Sequence, residues 1–347
     1  MLKLKKAPRL HADDVIAAVS LGWGGAGDQE YHWRYQVGKK YIENALGLRV
    51  VEMPHALNGI QALYRHPEHR AADLNQAFGD PSIKGIFVIA DGDDIIRLQP
   101  YLDTDAIREN PKVFMGYSDS TFIHMICLQA GFSSLYGPMI MSEFGENGGL
   151  LSYSAHWVKK ALFDPSALGE VPTASGWVCD YLGWEEENRY KPRKMATNTG
   201  YQLLQGSGVV RGTLIGGSLE VLDWMRGTSV WPDLGDFDDC ILFLETSELL
   251  LPTPEQLTYW LRYYAASGIL PHVSGILWAK PYREIYDAEY REQIVRVLCE
   301  EFGMHDLPVL YNASFGHNQP MCCLPYGALA EIDCKSRSFR ILEGAVE

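Results

Sequence analysis

The chain reads as an α/β protein: an N-terminal parallel-sheet domain of Rossmann or flavodoxin type, followed by a smaller, β-rich C-terminal α/β domain. Three observations predict this. Short apolar runs alternate with helix-period segments through the first half of the sequence, as they do in a parallel sheet covered by helices. That rhythm breaks between about residues 170 and 205, where Pro, Gly, charge and aromatics accumulate and strand-rich segments follow. The length of 347 residues exceeds that of most single domains, so two are expected. The boundaries read as residues 1–165 for the domain carrying a candidate nucleophile, 166–205 for a linker or long active-site loop, and 206–347 for the second domain.

Taken in order, "DDVIAAVSLGWGGAG" predicts a buried strand entering a glycine-rich loop, and "VGKKYIENALG" a helix closed by Gly47. "LRVVEMP" is a second strand, "HRAADLNQAFGD" a helix, and "IKGIFVIADG" a strand with a polar end at Asp91 and Gly92. "KVFMGYSDS" repeats the theme, with Ser118 at a strand end, before the helix "TFIHMICLQAG" and the short strand "SSLYGPM". Loops at strand carboxyl ends are where such sheets carry function. In the second half "GVVRGTLIGGSLEVLDWM" and "DDCILFLETSE" read as strand-rich. "TPEQLTYWLRYYAASG" is a helix with Thr253 as N-cap, Pro254 at its first position and Gly268 past its end. "VSGILWAK" and "LPVLYNASFGHNQP" are strands with polar ends, and "GALAEIDCKSRSFRIL" predicts a closing hairpin.

Composition excludes several classes of partner. A formal charge of −14 with no long Lys/Arg run argues against nucleic acid and anionic membrane. No stretch reaches the ~18 uninterrupted apolar residues of a membrane helix, and "MLKLKKAPRLHADD" lacks the apolar core of a secretory signal. The seven cysteines are odd in number and irregular in spacing, which suits a reducing cytoplasm.

Serine hydrolysis needs a nucleophile, an imidazole to take its proton and a carboxylate to orient that imidazole. Ser118 ends "VFMGYS", Glu245 ends "ILFLE" and His317 follows "LPVLYNASFG". Each also has a plain structural reading: a helix N-cap for Ser118, and loop polar groups for the other two. Backbone N–H groups of Asp119 and of Gly92, in "ADGDD", are candidate oxyanion donors. "GWGGAG" lacks the spacing of a dinucleotide fingerprint, and "HPEH" (His66, His69) has no accompanying zinc-site cluster. Cys322 and Cys323 show no electropositive setting that would activate a thiol. Trp177, Tyr181, Trp184 and Tyr190 either stack on a ring-bearing substrate or pin the long loop to the body.

Jointly, "MGYSDST" with "SLYGPM" and "FGE", "RAADLNQAFGDPSIKGIFVIADGDDIIRLQPYLD", "GTLIGGSLEVL", "FLETSE" and "GHNQPMCCLPYGALAEID" resemble the LD-carboxypeptidase family, most closely the branch of the microcin C self-immunity protein. The resemblance implies a cytoplasmic, homodimeric serine peptidase with a Ser118–His317–Glu245 triad and no metal or organic cofactor. It implies one of two substrate classes: an amide joining an aminoacyl group to a nucleotide, or a murein L,D-peptide losing a terminal D-amino acid. A catalytically silent binding protein is the remaining reading. In the immunity branch an aromatic residue of the long loop stacks on adenine, which makes Trp177 and Trp184 substrate-binding candidates. Three positions depart from the family pattern: Asp91 precedes Gly92 where a Gly-Gly pair is usual, Ser218 stands in place of asparagine, and Thr246 in place of aspartate. Asp91 and Ser218 are accordingly read as substrate-facing positions. Arg97 is read either as an anion contact or as a structural ion pair.

Overall fold

The computed structural model describes residues 2–248 and 251–347. Five parallel strands form the first sheet: β1 (Val15–Val19), β2 (Arg49–Glu52), β3 (Ile83–Val88), β4 (Val113–Gly116) and β5 (Leu135–Tyr136). Their order, 2-1-3-4-5, is the flavodoxin-like doubly wound arrangement, in which ligands sit beyond the strand carboxyl ends. β1, β3 and β4 are buried almost throughout, because helices cover both faces of a parallel sheet and leave no solvent side for polar alternation. Helix α1 (Gln29–Leu46) ends at Gly47 in the left-handed conformation, as the sequence predicts, but begins a full two turns earlier than "VGKKY".

Residues 166–205 are structured rather than a plain linker. β6 (Gly169–Glu170) and β9 (Gln202–Gln205) join opposite edges of the second sheet, and β7 (Gly176–Val178) pairs with β8 (Met195–Thr197) as a hairpin. These segments are too short to show a periodicity, and only their edge pairing holds them extended. The second sheet continues with β10 (Val209–Ser218), β11 (Cys240–Glu245), β12 (Val273–Ala279) and β13 (Val309–Ala313), parallel to one another at its centre. After β14 (Leu324–Pro325), the strands β15 (Leu329–Asp333) and β16 (Ser338–Ile341) form the closing hairpin. This sheet has eight strands against six in the first, so the C-terminal domain is the wider of the two once the edge strands of 166–205 are included. "SLEVLDWM" turns helical (Leu219–Trp224) instead of continuing as strand. The helix over Pro254–Ala266 has the Thr253 cap, with a reciprocal Gln256 capping box.

One crossing places the site. β14 pairs antiparallel with β5 of the first sheet, and Tyr326 O–H donates to the Gly216 carbonyl of β10 at 2.6 Å. The segment from β13 to β14 is therefore stitched to both sheets, and His317 rides on it between them. No helix among the described residues is long and apolar enough to cross a membrane.

Candidate active site

β4 stops at Gly116, and the chain turns sharply through Tyr117 and Ser118 into a 3-10 turn and the helix Thr121–Gln129. Ser118 has φ +62°, a conformation that costs a non-glycine residue about 1–3 kcal/mol and concentrates at functional turns. Its hydroxyl makes no helix-capping bond. It faces His317 instead, with Nε2 to Oγ at 2.9 Å. This is the geometry of a nucleophile elbow.

His317 is held from its other side. Its Nδ1 lies 2.6 Å from Glu245 Oε2, and its backbone N–H donates to the same oxygen at 3.3 Å. Gly316 makes that double contact possible. It has φ +72°, and a Cβ there would stand 2.7 Å from the Glu245 carboxylate carbon. Gly316→Ala should therefore tilt the imidazole, lowering kcat about 10²-fold and stability by about 1–2 kcal/mol; steady-state kinetics with urea unfolding would measure both.

Glu245 ends β11, wholly buried. Its second oxygen accepts the Tyr136 hydroxyl, whose oxygen in turn accepts the Ser118 backbone N–H at 3.1 Å. Sequence reasoning did not assign Tyr136 a role. The only signal was its place in "SLYGPM": register pairs it with Gly116, two residues before Ser118. Burial lowers the His317 pKa, but the Glu245 and Glu248 carboxylates outweigh that and push it above the ordinary 6.5. Glu248, whose Oε2 lies 3.5 Å from His317 Nε2, was likewise missed; a single charge after "FLETS" carries no pattern.

The predicted oxyanion donors lie beside the serine. The Asp119 carboxylate turns away to accept Ile95 N–H at 2.8 Å, and neither the Asp119 amide nor the Gly92 amide has an acceptor among the described residues. Burial and neighbouring Asp94 and Asp93 raise the Asp119 pKa to about 7. The 91–92 turn sits on the glycine-rich loop, where a Cβ on Gly22 would meet Gly92 N at 2.3 Å. Of the glycines of "GWGGAG", Gly22 thus packs under this turn, while Gly24 and Gly27 lie close against the backbone of Leu57 and Gly59.

Asp91 borders the cavity over Ser118 and also turns one carboxyl oxygen back to the serine's own turn. Its Oδ2 accepts Ser120 N–H at 2.6 Å, so it caps the turn that holds the serine. Burial and the adjacent Asp119 raise its pKa well above the usual carboxyl range. Asp91→Asn, which keeps a neutral acceptor, should leave thermal stability nearly unchanged. Asp91→Ala, which strands the Ser120 amide, should cost about 1–2 kcal/mol. A melting comparison separates the two.

The other candidates divide. Trp184 borders a cavity of about 510 Å³ that opens onto Ser118 and His317, together with Trp23, Tyr31 and Tyr181. Arg34 stacks over the Trp184 ring at 4.4 Å, and Trp33 Nε1 donates to its carbonyl at 3.0 Å. Trp177 is not on that wall. It is buried in β7 with the Lys280 ammonium 4.7 Å from its ring, so it pins the hairpin to the body. Ser218 is likewise away from the cavity, because its hydroxyl donates to Glu220 at 3.0 Å within a buried network that also holds Ser247. Arg97 binds Asp94 at 2.7 Å and the Tyr64 carbonyl at 2.8 Å; of its two readings, the structural ion pair holds. Cys322 is buried, and burial pushes its thiol up to about 12, far from a thiolate at neutral pH. His66 and His69 stack 18° apart, and Glu68 joins them with one ligand atom of each residue within 4.8 Å of the others, so a carboxylate does accompany the pair, although His66 Nδ1 already pairs with Glu68 at 2.8 Å.

Comparison with known proteins agrees with this architecture. Residues 16–137 match the LD-carboxypeptidase N-terminal domain and residues 211–332 the C-terminal domain. The chain is 30% identical to the microcin C7 self-immunity protein MccF of Escherichia coli, over 80% of this chain and 78% of that one. A solved structure of an MccF-like protein from Streptococcus pneumoniae in complex with AMP superposes with a TM-score of 0.87 at 30% identity, covering 95% of this chain and 98% of that one. MccF in complex with aspartyl sulfamoyl adenosine gives a TM-score of 0.85 at 25% identity, covering 99% of each chain. The chain belongs to the LD-carboxypeptidase family of serine peptidases, in the branch of the microcin C7 self-immunity protein.

Proposed function

We propose that this hydrolase cleaves the amide between an aminoacyl group and a nucleotide-like moiety, with Ser118, His317 and Glu245 as its catalytic triad. The observation that carries the reading is the chain of contacts Glu245–His317–Ser118 opening into an aromatic-walled cavity. Ser118 Oγ attacks the scissile carbonyl as His317 Nε2 takes its proton. Glu245 stays ionised and fixes the imidazole so that Nε2 carries the lone pair. Negative charge develops on the carbonyl oxygen, within reach of the Asp119 and Gly92 amides. The proton on His317 passes to the departing nitrogen, leaving an acyl-serine. Water then adds to that ester with His317 as base and releases the acid and free Ser118. Trp23, Tyr31, Tyr181 and Trp184 offer faces and edges to a planar base. The relatives solved with AMP and aspartyl sulfamoyl adenosine support that use of the wall.

The setting proposed with this reading is a cytoplasmic homodimer, whose second element sedimentation would check. The decisive assay offers wild type and Ser118→Ala an aminoacyl-sulfamoyl adenosine and a murein L,D-tetrapeptide, with products read by mass spectrometry. Ser118-dependent cleavage of the adenosine compound is expected. Release of D-alanine alone would replace the reading with murein recycling, and silence on both with ligand binding.

A further inference from the structure

The charge of the cavity is one-sided. Among the described residues that line it, the ionisable side chains other than tyrosine are Asp91, Asp93, Glu185, Glu248 and His317, with no lysine or arginine. Burial and the adjacent Asp119 raise the Asp91 pKa well above the usual carboxyl range. Asp93, Glu185 and Glu248 are exposed carboxyl-bearing side chains. Two guanidiniums, of Arg34 and Arg193, border an adjoining cleft, and both are already committed. Arg34 pairs with Glu146 at 3.4 Å, and Arg193 pairs with Glu146 at 3.2 Å and Asp180 at 3.0 Å.

Glu248 is the carboxylate that matters most. It touches the same His317 nitrogen that faces Ser118, at 3.5 Å. A conjugate whose carbonyl is seated on Ser118 occupies the cavity that Glu248 also lines. A second carboxylate brought there finds no counter-charge, and a cation does.

Resting on the proposed hydrolase reading, we infer that the site selects acyl groups that carry positive charge, a basic aminoacyl conjugate above all, and that Glu248 is the residue that sets this preference. An acidic acyl group, or a peptide ending in a free carboxylate next to the scissile bond, is disfavoured by the same field. The inference thus separates this chain's substrate from that of the relative solved with an aspartyl conjugate.

The test uses lysyl-, alanyl- and aspartyl-sulfamoyl adenosine. Cleavage by the wild type is measured as kcat/KM, and binding to Ser118→Ala by calorimetry. Lysyl should exceed alanyl by about tenfold in both measurements, with aspartyl weakest. The ratio should shrink in high salt because the carboxylate is partly exposed. Glu248→Gln should flatten the series and also lower the pH at which kcat/KM rises, since one of the two carboxylates raising the His317 pKa is gone. A merely structural Glu248 would do neither. A flat series, or an aspartyl preference, in the wild type overturns the inference while leaving the hydrolase reading in place. Charge-ordered binding without any cleavage does the reverse: the selectivity stands and the hydrolase reading falls. Weak, unordered binding with no cleavage overturns both.

Discussion

Ser118→Ala should lower kcat/KM on a cleavable aminoacyl conjugate by about 10⁴–10⁶-fold, because on the proposed mechanism the variant loses the oxygen that forms the acyl intermediate. Little else should change. Among the described residues, Ser118 Oγ makes its one hydrogen bond with His317, and the φ of +62° is as demanding for alanine as for serine. Thermal unfolding should therefore stay within about 0.5 kcal/mol of wild type, and affinity for the uncleaved conjugate should be retained. Rapid-quench kinetics beside calorimetry on one preparation would show this. Turnover within tenfold of wild type would remove Ser118 from the mechanism, whereas loss of binding along with turnover would point to a collapsed elbow.

Glu245→Gln should cost about 10⁴-fold in kcat, by a different route. The amide can offer its N–H to His317 Nδ1, which then turns its N–H toward Ser118 and leaves no base. The pH dependence carries the sign. In the wild type the imidazolium is favoured by Glu245 and Glu248, so the neutral base becomes populated only above the ordinary histidine range, and kcat/KM should climb as pH rises past 6.5. Removing the Glu245 charge lowers that pKa, so the residual activity of the variant should begin its rise at lower pH. The groups facing the imidazole that contribute to this balance are Glu245, Glu248 and Glu220, with the Tyr117 ring packed against it at 5.1 Å. An unchanged pH profile, with kcat merely scaled down, would mean that Glu245 acts through packing alone.

The two routes trace back to how the site is assembled. Ser118, Glu245 and His317 could each be marked from sequence because each follows an apolar run, and parallel strands deliver their functional residues at their carboxyl ends. Their spacing along the chain, by contrast, holds no geometry: 199 residues separate the serine from the histidine that meets it. Trp177 and Trp184 show the same limit. Both are tryptophans in one irregular stretch, yet the first packs inward from a hairpin and the second borders the cavity. Composition cannot tell an indole that anchors from an indole that receives.

By itself, the sequence determined the parallel architecture of the first sheet, the Thr253 cap and Gly47 stop of two helices, the closing hairpin and the family. All of these rest on local periodicity, capping chemistry or co-occurring motifs, which survive in one dimension. Tertiary structure alone decided that Asp91 caps the elbow, that Tyr136 joins the Ser118 amide to Glu245, that Ser218 serves a buried glutamate, and that Glu248 stands at His317 in a cavity without a lining cation among the described residues. Apart from the local Ser218–Glu220 bond, these bring together loops at the ends of different strands. Hydrogen bonds and charge act over a few ångströms, and only the packing of two sheets against one stitched segment brings those ends within that range.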